Sequence, residues 1–220
     1  MSIRILIFDL DGTLIDSSAG VVEAVNYALS RNGLPEESPE KIRKYIGYPL
    51  ETMFADFTKS PYEPLHREFQ QKARECMIPS ATALDGVNEV LEKLHFEGYR
   101  MGVATTKIRR HLEGIIDKLG WRKYFSSTVG ADDVTNVKPN PEALHHVLNS
   151  LGADVSETVF IGDTENDVLA AKAVPMKVIG LASPYGRVGD LLSAGPDYFI
   201  ETIGDLPGLI ERMSNGDGHK

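Results

Sequence analysis

Asp9-Leu10-Asp11-Gly12-Thr13-Leu14-Ile15-Asp16-Ser17 follows directly on the apolar run Ile3 to Phe8. A run rich in Ile and free of turn residues reads as a strand covered on both faces, as in a parallel sheet. Ligands of such sheets bind outside the carboxyl ends of the strands. Residues two apart point to one side of an extended backbone, so Asp9 and Asp11 are expected to face one crevice while Leu10 turns into the core. Gly12 permits a sharp turn after them. A purely structural Asp-Gly turn is common, so the motif needs companions elsewhere in the chain.

Three further segments end in polar groups. Tyr99 to Ala104 runs into Thr105-Thr106-Lys107, and Thr158 to Gly162 runs into Asp163-Thr164-Glu165-Asn166-Asp167. Between them, Val137-Lys138-Pro139-Asn140-Pro141 precedes a helix-like run. In a doubly wound parallel sheet, the α/β architecture expected here, these loops open on one edge and bring a hydroxyl, a lysine and several carboxylates together. The interval from Thr105 to Asp163 accommodates two strand-helix-strand units of about 30 residues each. That from Asp9 to Thr105 is far longer than one crossover needs, which predicts an insertion.

Apolar residues at three-and-four spacing predict helices at Ser17 to Arg31, Pro39 to Ile46, Leu50 to Phe57 and Pro61 to Cys76 within that insertion. Ser38-Pro39 and Ser60-Pro61 are cap-then-proline starts, and Gly33, Gly47, Pro49 and Pro79 punctuate the segment. The expected division is a core of residues 1–15 and 84–220 and an all-helical cap of residues 16–83. Core helices are expected at Val87 to Phe96, Arg109 to Leu119, Pro141 to Leu151, Asn166 to Ala173, Arg187 to Leu192 and Leu206 to Met213, with an unpacked tail from Ser214 to Lys220.

In this order the four signatures resemble the haloacid-dehalogenase-like hydrolase superfamily, and within it phosphoglycolate phosphatases and related small-molecule phosphatases. The resemblance covers nearly the whole chain and implies a Rossmann-like core with a helical cap between the first and second motifs. Two positions depart from the common pattern: Thr106 stands where asparagine is frequent, and Ala173-Val174-Pro175 replaces the usual Ala-Gly.

Cleaving a phosphomonoester requires a nucleophile, a proton for the leaving oxygen and compensation of the phosphate charge. The resemblance implies that Asp9 attacks phosphorus to form an aspartyl-phosphate. Asp11 would protonate the leaving alkoxide and then activate water, the close carboxylates holding different protonation states. A carboxylate cluster without His or Cys suits Mg2+, held by the Asp9 carboxylate, the Asp11 backbone carbonyl and Asp163, with Asp167 in support. Lys138 would reach both nucleophile and phosphoryl oxygens, and Thr105 with nearby donors, Thr106 among them, would hold those oxygens.

The basic run Lys41, Arg43 and Lys44 is expected to be a solvated helix face. The six histidines lack zinc-binding spacing, and Trp121, Tyr124, Phe125, Met53 and Phe54 read as core. A net charge of -9 argues against nucleic acid or an anionic membrane as partner. One cysteine excludes an internal disulfide and suits a reducing compartment. The opening residues lack a signal peptide's apolar region and no segment is long enough to span a membrane, so a cytoplasmic location is expected. The expected partner is a small phosphorylated metabolite such as 2-phosphoglycolate, and monomer and homodimer both stay open. A phosphosugar mutase, a pyrophosphatase and a phosphate-sensing module without catalysis are the competing readings; the mutase is disfavoured because relatives of that kind often carry another residue at Thr13.

Overall fold

A computed structural model describes residues 3–185 and 187–215. Its centre is β1 (Ile5–Phe8), in a six-stranded sheet with β4 (Arg100–Ala104), β5 (Phe125–Val129), β6 (Thr158–Gly162), β7 (Lys177–Leu181) and β8 (Tyr198–Ile200). The spatial order is β5-β4-β1-β6-β7-β8, and every neighbouring pair is parallel. β1 therefore lies where the winding reverses, the position at which such sheets open a crevice.

The pleat explains why β1 and β6 are apolar throughout. Leu6 and Phe8, with Val159 and Ile161, pack on one face against α5 (Val87–Phe96), α6 (Arg109–Lys118) and α10 (Leu206–Asn215). Ile5, Ile7 and Phe160 pack on the other against α7 (Glu142–Leu151), α8 (Glu165–Ala173) and α9 (Val188–Ser193). Alternate side chains of a strand enter opposite cores, so both sets must be hydrophobic.

After β1 the chain leaves the sheet through β2 (Ile15–Asp16), and it returns through β3 (Thr82–Ala83), which pairs antiparallel with β2. Between them lie α1 (Ser18–Arg31), α2 (Pro39–Arg43), α3 (Leu50–Phe57) and α4 (Tyr62–Ser80). These four helices enclose their own cluster, including Val25, Leu29, Ile42, Phe54 and Leu65. Among the described residues no helix is long and apolar enough to cross a membrane.

Several boundaries differ from the sequence reading. α2 stops at Arg43 rather than Ile46, because the Lys44 and Ile46 carbonyls turn to accept from the Arg187 guanidinium. α4 continues past Cys76 through Pro79 to Ser80, where the Ser80 hydroxyl donates to the Cys76 carbonyl at 2.7 Å. The tail expected from Ser214 is packed at its start: Ser214 and Asn215 belong to α10, and the Ser214 hydroxyl accepts the Ile3 N–H at 3.3 Å. The remainder, residues 216–220, lies outside the described residues.

Candidate active site

Asp9 is the first residue beyond β1, and its N–H continues the ladder by donating to the Ile161 carbonyl at 2.8 Å. Leu10 is fully buried, and its carbonyl accepts from the N–H groups of Leu14 and Ile15 at 2.9 and 3.0 Å, closing a compact turn. Gly12 has φ of +87°, and a Cβ there would collide with the Asp163 carboxylate. Glycine thus allows the first loop to lie directly against the end of β6.

Lys138 reaches this point from the loop after β5, following the turn Ala131–Asp133. Its ammonium donates to Asp9 Oδ1 at 2.6 Å, to Asp167 Oδ1 at 2.6 Å and to the Ala104 carbonyl at 3.0 Å, with all three side chains buried. The second oxygen of Asp167 accepts the N–H and hydroxyl of Thr164, at 3.0 and 2.8 Å, at the start of α8. Asp167 is therefore fixed by a helix start and in turn fixes Lys138.

Asp163 is completely buried. Its Oδ1 accepts the Thr13 hydroxyl at 3.1 Å, whereas Oδ2 has no hydrogen-bond partner among the described residues. Carboxylate oxygens of Asp9, Asp163 and Asp167 all lie within 4.8 Å of one another. Burial raises Asp9 to about 6, with Lys138 opposing and Asp167 adding to the rise; Asp11 contributes least. Burial, then repulsion from Asp9 and Asp167, pushes Asp163 well above the carboxylate range. Burial alone would lower Lys138, but Asp167 and Asp9 outweigh it and raise the ammonium's pKa. A buried carboxyl oxygen without a partner, in an all-oxygen cluster with excess negative charge, fits a hard divalent cation.

The two aspartates of the first motif have different surroundings. Asp11 is 5 % exposed and touches the cavity beneath the helical unit. Its carboxylate accepts from the Ser17 hydroxyl and pairs with Lys107 at 3.1 Å. Thr105 sits at the end of β4 with its hydroxyl accepting the Lys107 N–H at 3.2 Å. Thr106 is half-buried and lines the cavity. Asp9, Lys138, Asp163 and Asp167 thus form one cluster, and Asp11 with Lys107 forms a second beside it.

The cavity, about 510 Å3, lies between α1–α4 and the loop edge of the sheet. Arg187 spans this junction: its guanidinium donates to the Lys44 carbonyl at 2.9 Å and to the Ile46 carbonyl, and covers the Tyr48 ring at 4.4 Å. The Tyr48 hydroxyl donates to Glu165. At the hinge, the Tyr185 hydroxyl donates to Asp16 at 3.2 Å and accepts the Ser17 N–H at 3.3 Å.

Lys107, Ser17, Tyr48, Tyr185 and Arg187 were not singled out as site residues by sequence reasoning. Lys107 directly follows the expected strand-end hydroxyls, so its position carried a signal. Arg187 meets carbonyls more than 140 positions away, which no local pattern encodes. Of the basic run, Lys41 pairs with Glu37 at 2.8 Å, Lys44 is exposed, and Arg43 is half-buried near enough to Asp16 to help lower its pKa. For Asp16 the hydrogen bonds from Ser18 and Tyr185 outweigh the opposing effect of burial.

Residues 6–181 match the family model described as haloacid dehalogenase-like hydrolase. The chain is 36% identical over 216 residues to the protein named probable phosphatase IndB of Dickeya dadantii, covering 95% of this chain and 94% of that one. It is 31% identical to a phosphoglycolate phosphatase of Pectobacterium atrosepticum (97% and 95% covered) and 30% identical to the pyrophosphatase PpaX of Bacillus velezensis (91% and 93% covered). A haloacid dehalogenase-like family hydrolase from Streptococcus pneumoniae superposes with a TM-score of 0.86 at 26% identity, covering 94% of this chain and 97% of that one. A family match spanning most of the chain and relatives alike from end to end lead to one conclusion: the chain belongs to the haloacid dehalogenase-like hydrolases.

Proposed function

We propose that this chain is a Mg2+-dependent phosphatase that hydrolyses a small phosphorylated metabolite through an aspartyl-phosphate on Asp9. The observation that carries the reading is the buried Lys138 ammonium, 2.6 Å from both Asp9 and Asp167, beside an Asp163 Oδ2 with no partner among the described residues. Buried charge without a full set of partners costs several kcal/mol, of the order of 3–5 for a broken buried pair, and is retained where it serves chemistry. The relatives named as phosphatases and the phosphoglycolate phosphatase support the assignment and make 2-phosphoglycolate the reference substrate.

In the first step a carboxylate oxygen of Asp9 forms a bond to phosphorus while the bond from phosphorus to the leaving oxygen breaks. Asp11, in the cavity mouth, gives its proton to that oxygen, releasing the alcohol. In the second step Asp11 takes a proton from water as the water oxygen attacks phosphorus, which frees Asp9 and inorganic phosphate. Lys138 holds the Asp9 carboxylate in place and offsets charge on the phosphoryl oxygens. Lys107 sits where it can steady Asp11, and Thr105 and Thr106 lie at the same edge for contact with the phosphoryl group. Asp9, Asp163 and the Asp11 carbonyl would hold Mg2+, with Asp167 in support, and the ion would supply further neutralisation of the phosphate charge.

Turnover of p-nitrophenyl phosphate with Mg2+ tests the proposal. Asp9→Asn should abolish it while circular dichroism stays native, and undiminished activity in that variant would end the reading. Pyrophosphate hydrolysis is a second reading, favoured by the PpaX relative; a kcat/KM for pyrophosphate above those for all monoesters would establish it instead.

A further inference from the structure

The cavity above Asp11 is too large for a two-carbon acid. Its volume is about 510 Å3. Pockets of roughly 300–1,000 Å3 are typical of ligands the size of a drug or cofactor, far larger than the two-carbon organic part of 2-phosphoglycolate. The helical unit is docked in this geometry, since Arg187 and Glu165 both bond to it across the cavity's edge.

The lining indicates what fills it. Tyr45, Tyr48, Tyr62 and Phe69 present rings from the helical unit, with Met53 and Met77 between them. Aromatic and thioether walls favour a flat apolar or heteroaromatic body. On the opposite wall His111, 6 % exposed, lines the same cavity.

We propose that the site takes phosphomonoesters of ring-bearing alcohols up to about nucleoside size, the ring lying among the tyrosines. This rests on the phosphatase reading for placing the phosphoryl group at Asp9, but the selectivity can be tested apart from turnover. Uridine 5′-monophosphate and benzyl phosphate are esters of primary alcohols, as 2-phosphoglycolate is, so intrinsic leaving-group ability is comparable across the three.

Binding of all three is to be measured calorimetrically on the Asp9→Asn protein with Mg2+, and release of phosphate on the unaltered protein. The proposal expects both ring-bearing esters to bind at least about tenfold more tightly than 2-phosphoglycolate, about 1.4 kcal/mol. Equal or tighter binding of 2-phosphoglycolate, or no measurable binding of either ring ester, overturns it. Preferential binding of the ring esters with no phosphate released from any ester by the unaltered protein would sink the phosphatase reading and leave the selectivity standing.

Discussion

Lys138 Nζ is 2.6 Å from Asp9 and 2.6 Å from Asp167, yet these residues with Asp163 and Asp11 set four carboxylates against Lys138 and Lys107, with Arg187 a lesser opposing charge on Asp163. The excess negative charge explains why Asp9 is raised to about 6 and Asp163 well above its usual range. Without a metal, these two groups bind more protons folded than unfolded once pH exceeds the ordinary 3.8. Their contribution to stability is therefore greatest at low pH and falls as pH rises through about 6. A divalent ion bound only by the folded chain reverses the trend, adding about 2.7 kcal/mol at a hundredfold excess over Kd. The increase in Tm caused by Mg2+ over EDTA should then be larger at pH 7 than at pH 5. In Asp163→Asn, which keeps an oxygen for Thr13, the EDTA Tm should not fall and the Mg2+ increment should shrink by more than half. An increment as large in the variant as in the parent would show that the ion binds elsewhere.

At the level of elements, α8 joins fold and site. Asp167 in its first turn accepts both the N–H and the hydroxyl of Thr164, which leaves its other oxygen for Lys138. Thr164→Val keeps the shape and the N–H but removes the hydroxyl donor to a buried carboxylate, a loss of about 1.5–3 kcal/mol. The expected result is a Tm lower by several degrees with kcat reduced and KM little changed; a lower Tm with unaltered kcat would make the contact structural only. The elements that sequence reasoning recovered are those whose local pattern matches their burial. β1 and β6 are uninterrupted apolar runs, and their terminal residues Asp9 and Asp163 came with them. β5, Phe-Ser-Ser-Thr-Val, was missed because it is an edge strand with small polar residues and alternating burial. The spacing of two crossover units between Thr105 and Asp163 nonetheless required a strand there. β7 and β8 went unmarked as well, β8 having only three residues. The place of Asp11 two residues after Asp9 was readable from the sequence, but its pairing with Lys107 depends on how the β4 loop folds over it.

At the scale of the whole molecule, the question is what holds the helical unit against the sheet. The covalent tether is the pair of two-residue strands β2 and β3, which fixes little by itself. Gly47, with φ of +93°, lets the loop after α2 settle on Thr164, to whose Cγ2 an added Cβ would lie 3.1 Å away. On each side of Gly47 the chain is gripped from the core, by Arg187 at the Lys44 and Ile46 carbonyls and by Glu165 at Tyr48. A hydrogen bond from a charged donor is worth about 1.5–3 kcal/mol, comparable with the bias needed to populate a docked state over an open one. Arg187→Met keeps an apolar stem while deleting the guanidinium and both bonds. Its expected signature is local: amide exchange in residues 44–50 should accelerate at least about tenfold, one factor of 1.4 kcal/mol, while β1, β4 and β6 keep their protection. If the proposed function holds, KM should rise more than kcat falls, since Arg187 hydrogen-bonds to the Lys44 and Ile46 carbonyls of the helical unit rather than to Asp9 or Lys138. Faster exchange spread evenly over the sheet would instead mean that Arg187 stabilises the molecule as a whole, and the latch would be refuted.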